Sequence, residues 1–93
     1  MPTPRQLVDK KLKLATEYAN LGKKLVKLKI KEAREMPLLM VEHSVAKAER
    51  EYNATDDGIR MMTIKIEMKS IEKLISAISS QLKVAENEMY NLS

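Results

Sequence analysis

Between Met61 and Leu92 the apolar residues recur at alternating spacings of three and four: Met61, Ile64, Met68, Ile71, Ile75, Ile78, Leu82, Ala85, Met89 and Leu92. The mean period is 3.5 residues, that of a coiled-coil seam, and the run has no miss. A half-buried strand would need an apolar residue at every second position. The pattern therefore predicts one helix over 58–92, about 50 Å long at 1.5 Å per residue, which must lay its seam against other helices. Glu67, Glu72, Glu86, Glu88 and Lys65 form charged flanks, and Ile66 and Leu74 widen the seam on one side.

What can cover that seam is limited by side-chain size. The 93 residues include no Phe or Trp and three Tyr, so Leu, Ile, Val and Met carry the burial and the core is thin. Such a core suits side chains interleaved between paired helices.

The first helix has a readable start. Thr3 precedes Pro4, and Gln6 completes a Thr-x-x-Gln capping box with proline at the first helical position. Apolar residues then come in adjacent pairs, Leu14/Ala15, Tyr18/Ala19, Leu21/Gly22 and Leu25/Val26, a stripe broad enough to want two neighbours. Pro37 lacks a backbone N–H and restricts Met36. The expected elements are a helix over 4–35, a second over 37–53, a turn over 53–58 and the seam helix over 58–92, in a single domain. In the turn, Asp56 or Asp57 is expected to cap the last helix, and Gly58 to supply unusual backbone angles. The fold class is all-α: an antiparallel helical hairpin with unequal, coiled-coil-like arms, or a three-helix bundle if Pro37 breaks the first arm. The hairpin is preferred because Val26, Ile30, Ala33, Pro37, Val41, Val45, Ala48 and Tyr52 form one stripe through the proline. Self-association is expected from the surplus of apolar surface, with the seam serving subunit assembly.

Charge is polarised along the chain. Arg5 to Arg34 carries ten Lys/Arg and three Asp/Glu, a net +7, whereas Glu35 to the end carries seven and ten, a net −3. Lys24, Lys27, Lys31 and Arg34 follow one helical face, with Lys23 beside them. This stripe is a candidate phosphate-contacting surface for nucleic acid, although no aromatic residue is interleaved for base stacking.

Catalytic chemistry finds little footing. The chain has no cysteine and one histidine, His43, which points about 100° away from Glu42. Glu35, His43 and Glu49 would need help from elsewhere to hold a metal. Ser44, Ser70, Ser76, Ser79 and Ser80 lie within helical stretches without a base at a suitable offset. Two glycines exclude glycine-rich nucleotide loops. The expectation is a protein that is not an enzyme and needs no cofactor or metal. Its first residues lack the apolar run of a secretory signal and no stretch approaches the length of a membrane span, so the expected location is the cytoplasm.

The Lys/Glu-rich first helix, the segment Ser44-Val45-Ala46-Lys47-Ala48-Glu49, the polar turn and Leu74-Ile75-Ser76-Ala77-Ile78-Ser79-Ser80-Gln81-Leu82-Lys83 together resemble small helical proteins of bacteriophages and prophages. The similarity spans about residues 40–90 and contains no motif from which a functional residue carries over. It implies a viral accessory protein of the host cytoplasm, in families sometimes encoded beside replication and recombination genes. The secreted hairpins marked by Trp-x-Gly are similar in length, but this chain has no Trp and turns at Asp57-Gly58. The expected function is thus a non-enzymatic oligomeric interaction protein with a protein partner. The alternatives are a nucleic-acid-binding accessory factor using Lys23, Lys24, Lys27, Lys31 and Arg34, and an inhibitor of a host defence protein.

Overall fold

The computed structural model describes residues 2–92, with side chains from Pro2 to Glu88; Met89 and Leu92, the last expected seam positions, lie outside the described side chains. The chain forms α1 (Pro4–Glu42), α2 (Val45–Ala54) and α3 (Asp56–Leu92). The capping box starts α1 as read from sequence: the Gln6 N–H donates to Thr3 Oγ1 at 3.2 Å, and the Thr3 N–H donates to Gln6 Oε1 at 2.9 Å.

Pro37 neither ends α1 nor lets it run on to 53, so the expected division at 35–37 is corrected. The helix passes through the proline and stops at Glu42. Proline inside a helix costs roughly 3 kcal/mol. Met36 and Leu39, on either side of it, pack against the buried cluster of Leu28, Tyr52, Met61 and Ile64, and burying half of two such side chains returns a comparable amount. The break falls instead at His43 and Ser44, both extended, where Ser44 Oγ accepts the Lys47 N–H at 3.4 Å and caps α2.

The expected turn over 53–58 also contracts, to Thr55 alone. Thr55 closes α2 and opens α3 at once. Its N–H and hydroxyl both donate to the Tyr52 carbonyl, at 3.0 and 2.6 Å, while Oγ1 accepts the Gly58 N–H at 3.1 Å. Thr55, and not Asp56 or Asp57, is the cap; the two aspartates occupy the first turn of α3, where negative charge is favourable. Gly58 lies in this helix, and no glycine among the described residues has positive φ. What requires glycine is proximity: a Cβ there would fall 2.2 Å from the Tyr52 carbonyl oxygen.

The result is an antiparallel helical hairpin. Its arms are nearly equal, 39 and 37 residues, because the 10-residue α2 folds back over the closed end where a longer first arm was expected. Tyr18 lies against Glu72, Gly22 against Met68 and Lys31 against Asp57, which fixes the register. The molecule measures 69 × 20 × 16 Å with a radius of gyration of 19.9 Å, against about 12 Å for a compact domain of this length. A body so thin leaves most of each helix with one neighbour.

Candidate interaction surfaces

At 100° per residue, the surface of α1 divides into three lengthwise stripes. The first faces α3: Leu7 and Leu28 are buried, and Leu14, Tyr18, Leu21, Leu25, Met36 and Leu39 are half-buried. The second comprises Val8, Leu12, Ala15, Ala19, Val26, Ile30, Ala33, Pro37 and Val41, rotated about 130° from the first, and every member is exposed. Leu12 keeps 62% of its surface, Val26 56% and Val41 82%. Three of the four adjacent pairs read from the sequence are therefore split, Leu14/Ala15, Tyr18/Ala19 and Leu25/Val26, the first member packing on α3 and the second pointing outward, whereas Leu21 and Gly22 are both half-buried and Gly22 lies against Met68. The stripe expected to run from Val26 to Tyr52 does not form a buried unit. Ala48 and Tyr52 are buried on α2, while Val26, Ile30, Ala33, Pro37, Val41 and Val45 are exposed, because the chain changes direction at His43.

The seam of α3 is covered by α1 of the same chain. Met61, Ile64, Ile71 and Ile78 are buried, and Met68, Ile75, Leu82 and Ala85 are half-buried. These side chains form the intramolecular core, the core part of the role expected of them; the apolar surface left exposed includes the outer stripe of α1 and Ile59, Met62, Ile66, Leu74 and Val84 of α3.

The third stripe is basic. Lys23, Lys24, Lys27, Lys31 and Arg34 are all exposed. Lys31 Nζ lies 4.0 Å from an Asp57 carboxylate oxygen, a surface pair of small energetic weight. Lys24 borders a shallow groove shared with Glu17 and Glu67. The remaining cations face outward, on the side of α1 away from α3.

Chemistry at the closed end is structural in kind. Tyr52 is 2% exposed, and its hydroxyl sits 3.7 Å from Met61 Sδ. Burial raises its pKa above the usual tyrosine value, reinforced by Glu32, Glu35 and Asp57. Tyr18 donates to Glu72 Oε1 at 2.6 Å, and that hydrogen bond is the main cause of its raised pKa. His43 Nε2 meets Glu51 at 3.1 Å across the joint between α1 and α2, and not Glu35, Glu42 or Glu49. Among the described residues no group of three or more His, Asp or Glu is placed to hold a metal ion, and no helix is long and apolar enough to cross a membrane.

No protein-family model, curated protein or solved structure matches this chain. The surfaces themselves carry the functional argument.

Proposed function

We propose that this chain is a non-enzymatic helical interaction protein that assembles with copies of itself and presents its charged faces to a further partner, as an accessory factor of the cytoplasm. The observation that carries this reading is the outer stripe of α1: nine apolar or small residues at helical spacing, all exposed, on a helix whose other apolar face is already occupied by α3. A continuous apolar strip of this length on an isolated molecule marks a contact surface. The resemblance to phage helical proteins fits the same role.

Light scattering on the wild type and on Val26→Asp and Ile30→Asp tests it. Both positions are exposed, so the charge should leave helicity intact while reducing the assembled mass to one chain. Wild type at single-chain mass throughout a concentration series would refute self-assembly.

A second reading rests on the exposed cations Lys23, Lys24, Lys27, Lys31 and Arg34: a nucleic-acid accessory factor contacting phosphates. Fluorescence anisotropy with labelled DNA and RNA should then show binding that weakens steeply with salt and disappears in a Lys24→Glu/Lys27→Glu/Lys31→Glu variant. Binding unchanged in that variant would remove the basic stripe from consideration.

A further inference from the structure

We infer that the outer stripe of α1 is covered by the same stripe of a second copy, running antiparallel about a two-fold axis that passes between Gly22 and Lys23. The inference rests on the self-assembly proposed above and adds the interface, its direction and its register.

The stripe spans nearly the whole of α1 (Pro4–Glu42), and the midpoint of that helix, at Lys23, falls about half a residue from the proposed axis, so an antiparallel copy overlaps it along nearly its full length. About that axis the stripe is antisymmetric in volume. Leu12 comes opposite Ala33 of the second copy, Ala15 opposite Ile30, and Ala19 opposite Val26. Leu12, Ile30 and Val26 thus each meet an alanine, which lets the central part of the two helices interdigitate, while Val8 comes opposite Pro37 and Val41 opposite Pro4. The relation is isologous, since each contact occurs twice, as a two-fold demands.

Area agrees. The five large aliphatic residues of the stripe, from 45% to 82% exposed, leave on the order of 500 Å² uncovered per chain, so two copies can bury up to about 1,000 Å² from these residues alone, and the flanking side chains bring the contact into the range of a specific interface, about 1,200 Å² and above. Access is open, because α2 caps the opposite side of α1, against Leu28, Met36 and Leu39.

Charge decides between directions. In the antiparallel register Asp9 approaches Arg34 of the second copy, and Lys27 approaches the neutral Thr16 and Asn20. In a parallel pairing, where one flank of the stripe meets the opposite flank of the second copy, Lys27 would come beside Lys29 of that copy, and the contact would occur twice. The antiparallel form retains one like-charge approach, Lys23 near its copy beside the axis, and unites two helices each carrying ten Lys/Arg and five Asp/Glu, a net +5. Association should therefore tighten as salt rises, opposite to the trend for nucleic-acid binding.

The chain contains no cysteine, so introduced thiols report contacts cleanly. Ala19→Cys and Val26→Cys should each remain uncross-linked alone, because each position lies about 10 Å from its own copy, beyond disulfide reach. Mixing the two variants should give a disulfide-linked dimer under mild oxidation, and the doubly substituted chain should give a doubly linked one. Leu12→Cys, about 31 Å from its copy, is the negative control. Ala15→Cys with Ile30→Cys provides a second pair should the first lose helicity by circular dichroism. Cross-linking of either single variant alone would overturn the antiparallel register, and a two-chain mass by light scattering without cross-linking in any mixture would overturn the interface; both leave self-assembly standing. A one-chain mass for the unsubstituted protein at every concentration would overturn the self-assembly reading as well.

Discussion

The two glycines of this chain invite the same substitution with opposite expected signs. Ala is favoured over Gly in a helix interior by roughly 1 kcal/mol, and both Gly22 and Gly58 lie within helices, so propensity alone would make both replacements stabilising. At Gly22 the new methyl would sit 3.9 Å from Met68 Cε, an ordinary contact, and Gly22→Ala should raise stability by about 0.5–1 kcal/mol. At Gly58 it would meet the Tyr52 carbonyl oxygen at 2.2 Å, Asn53 Cα at 2.8 Å and the Tyr52 carbonyl carbon at 2.9 Å. These are backbone atoms and cannot rotate away. Relief requires moving the end of α2 from the start of α3. That movement costs roughly 1–3 kcal/mol as overpacking, and it pulls on the Thr55 cap, worth about 1 kcal/mol. Against the propensity gain the balance is a loss of about 2 kcal/mol, or a fall in Tm on the order of 10 °C for a chain of this size. Thermal and urea unfolding followed by circular dichroism at one fixed protein concentration would read both values. If Gly58→Ala proved stabilising like Gly22→Ala, the close crossing of α2 and α3 at Thr55 would be wrong.

Two further predictions follow from burial. Ile71→Asp puts an unpaired charge at a position 7% exposed, and should cost several kcal/mol and unfold the hairpin, whereas Ile30→Asp at 49% exposure should keep full helicity; equal helicity in the two would contradict the division of faces. Tyr52 and Tyr18 both have raised pKa values in the folded chain, so the folded state holds those protons more tightly than the unfolded one. Their contribution is fully present below the unfolded value of about 10 and is lost as pH rises from there through the folded values; a urea midpoint falling above pH 10 in the wild type, and less steeply in Tyr52→Phe, is the expected result, and identical slopes would deny the burial of Tyr52.

How much of this could be read in advance depended on which signals were repeated. The α3 seam recurs over ten positions, so its helix was legible, and the all-α hairpin with it. Helix ends were not. Pro37 is the loudest local breaker, yet its effect is overridden by Met36 and Leu39 gaining partners on α2 and α3, which no local pattern displays. Ser44 ends the arm in practice, but a serine ahead of Val-Ala-Lys-Ala looks like several others in the chain until its hydroxyl is seen to cap Lys47. The polar run 53–58 suggested a loop; one threonine, bonding on both sides, makes the rest helical. The adjacent apolar pairs of α1 did announce a helix with two apolar faces. Which member of each pair would meet α3 was fixed only by register, and that separates Leu25, facing inward, from Val26, facing out.

Small-angle X-ray scattering over a dilution series tests the central claim most directly, because it reads mass and shape together. The account predicts a forward-scattering mass of two chains at the highest concentrations, falling on dilution to the single 10.6 kDa chain with a radius of gyration close to 19.9 Å. A single-chain mass at every concentration, with the outer stripe of α1 left bare in solution, would contradict it.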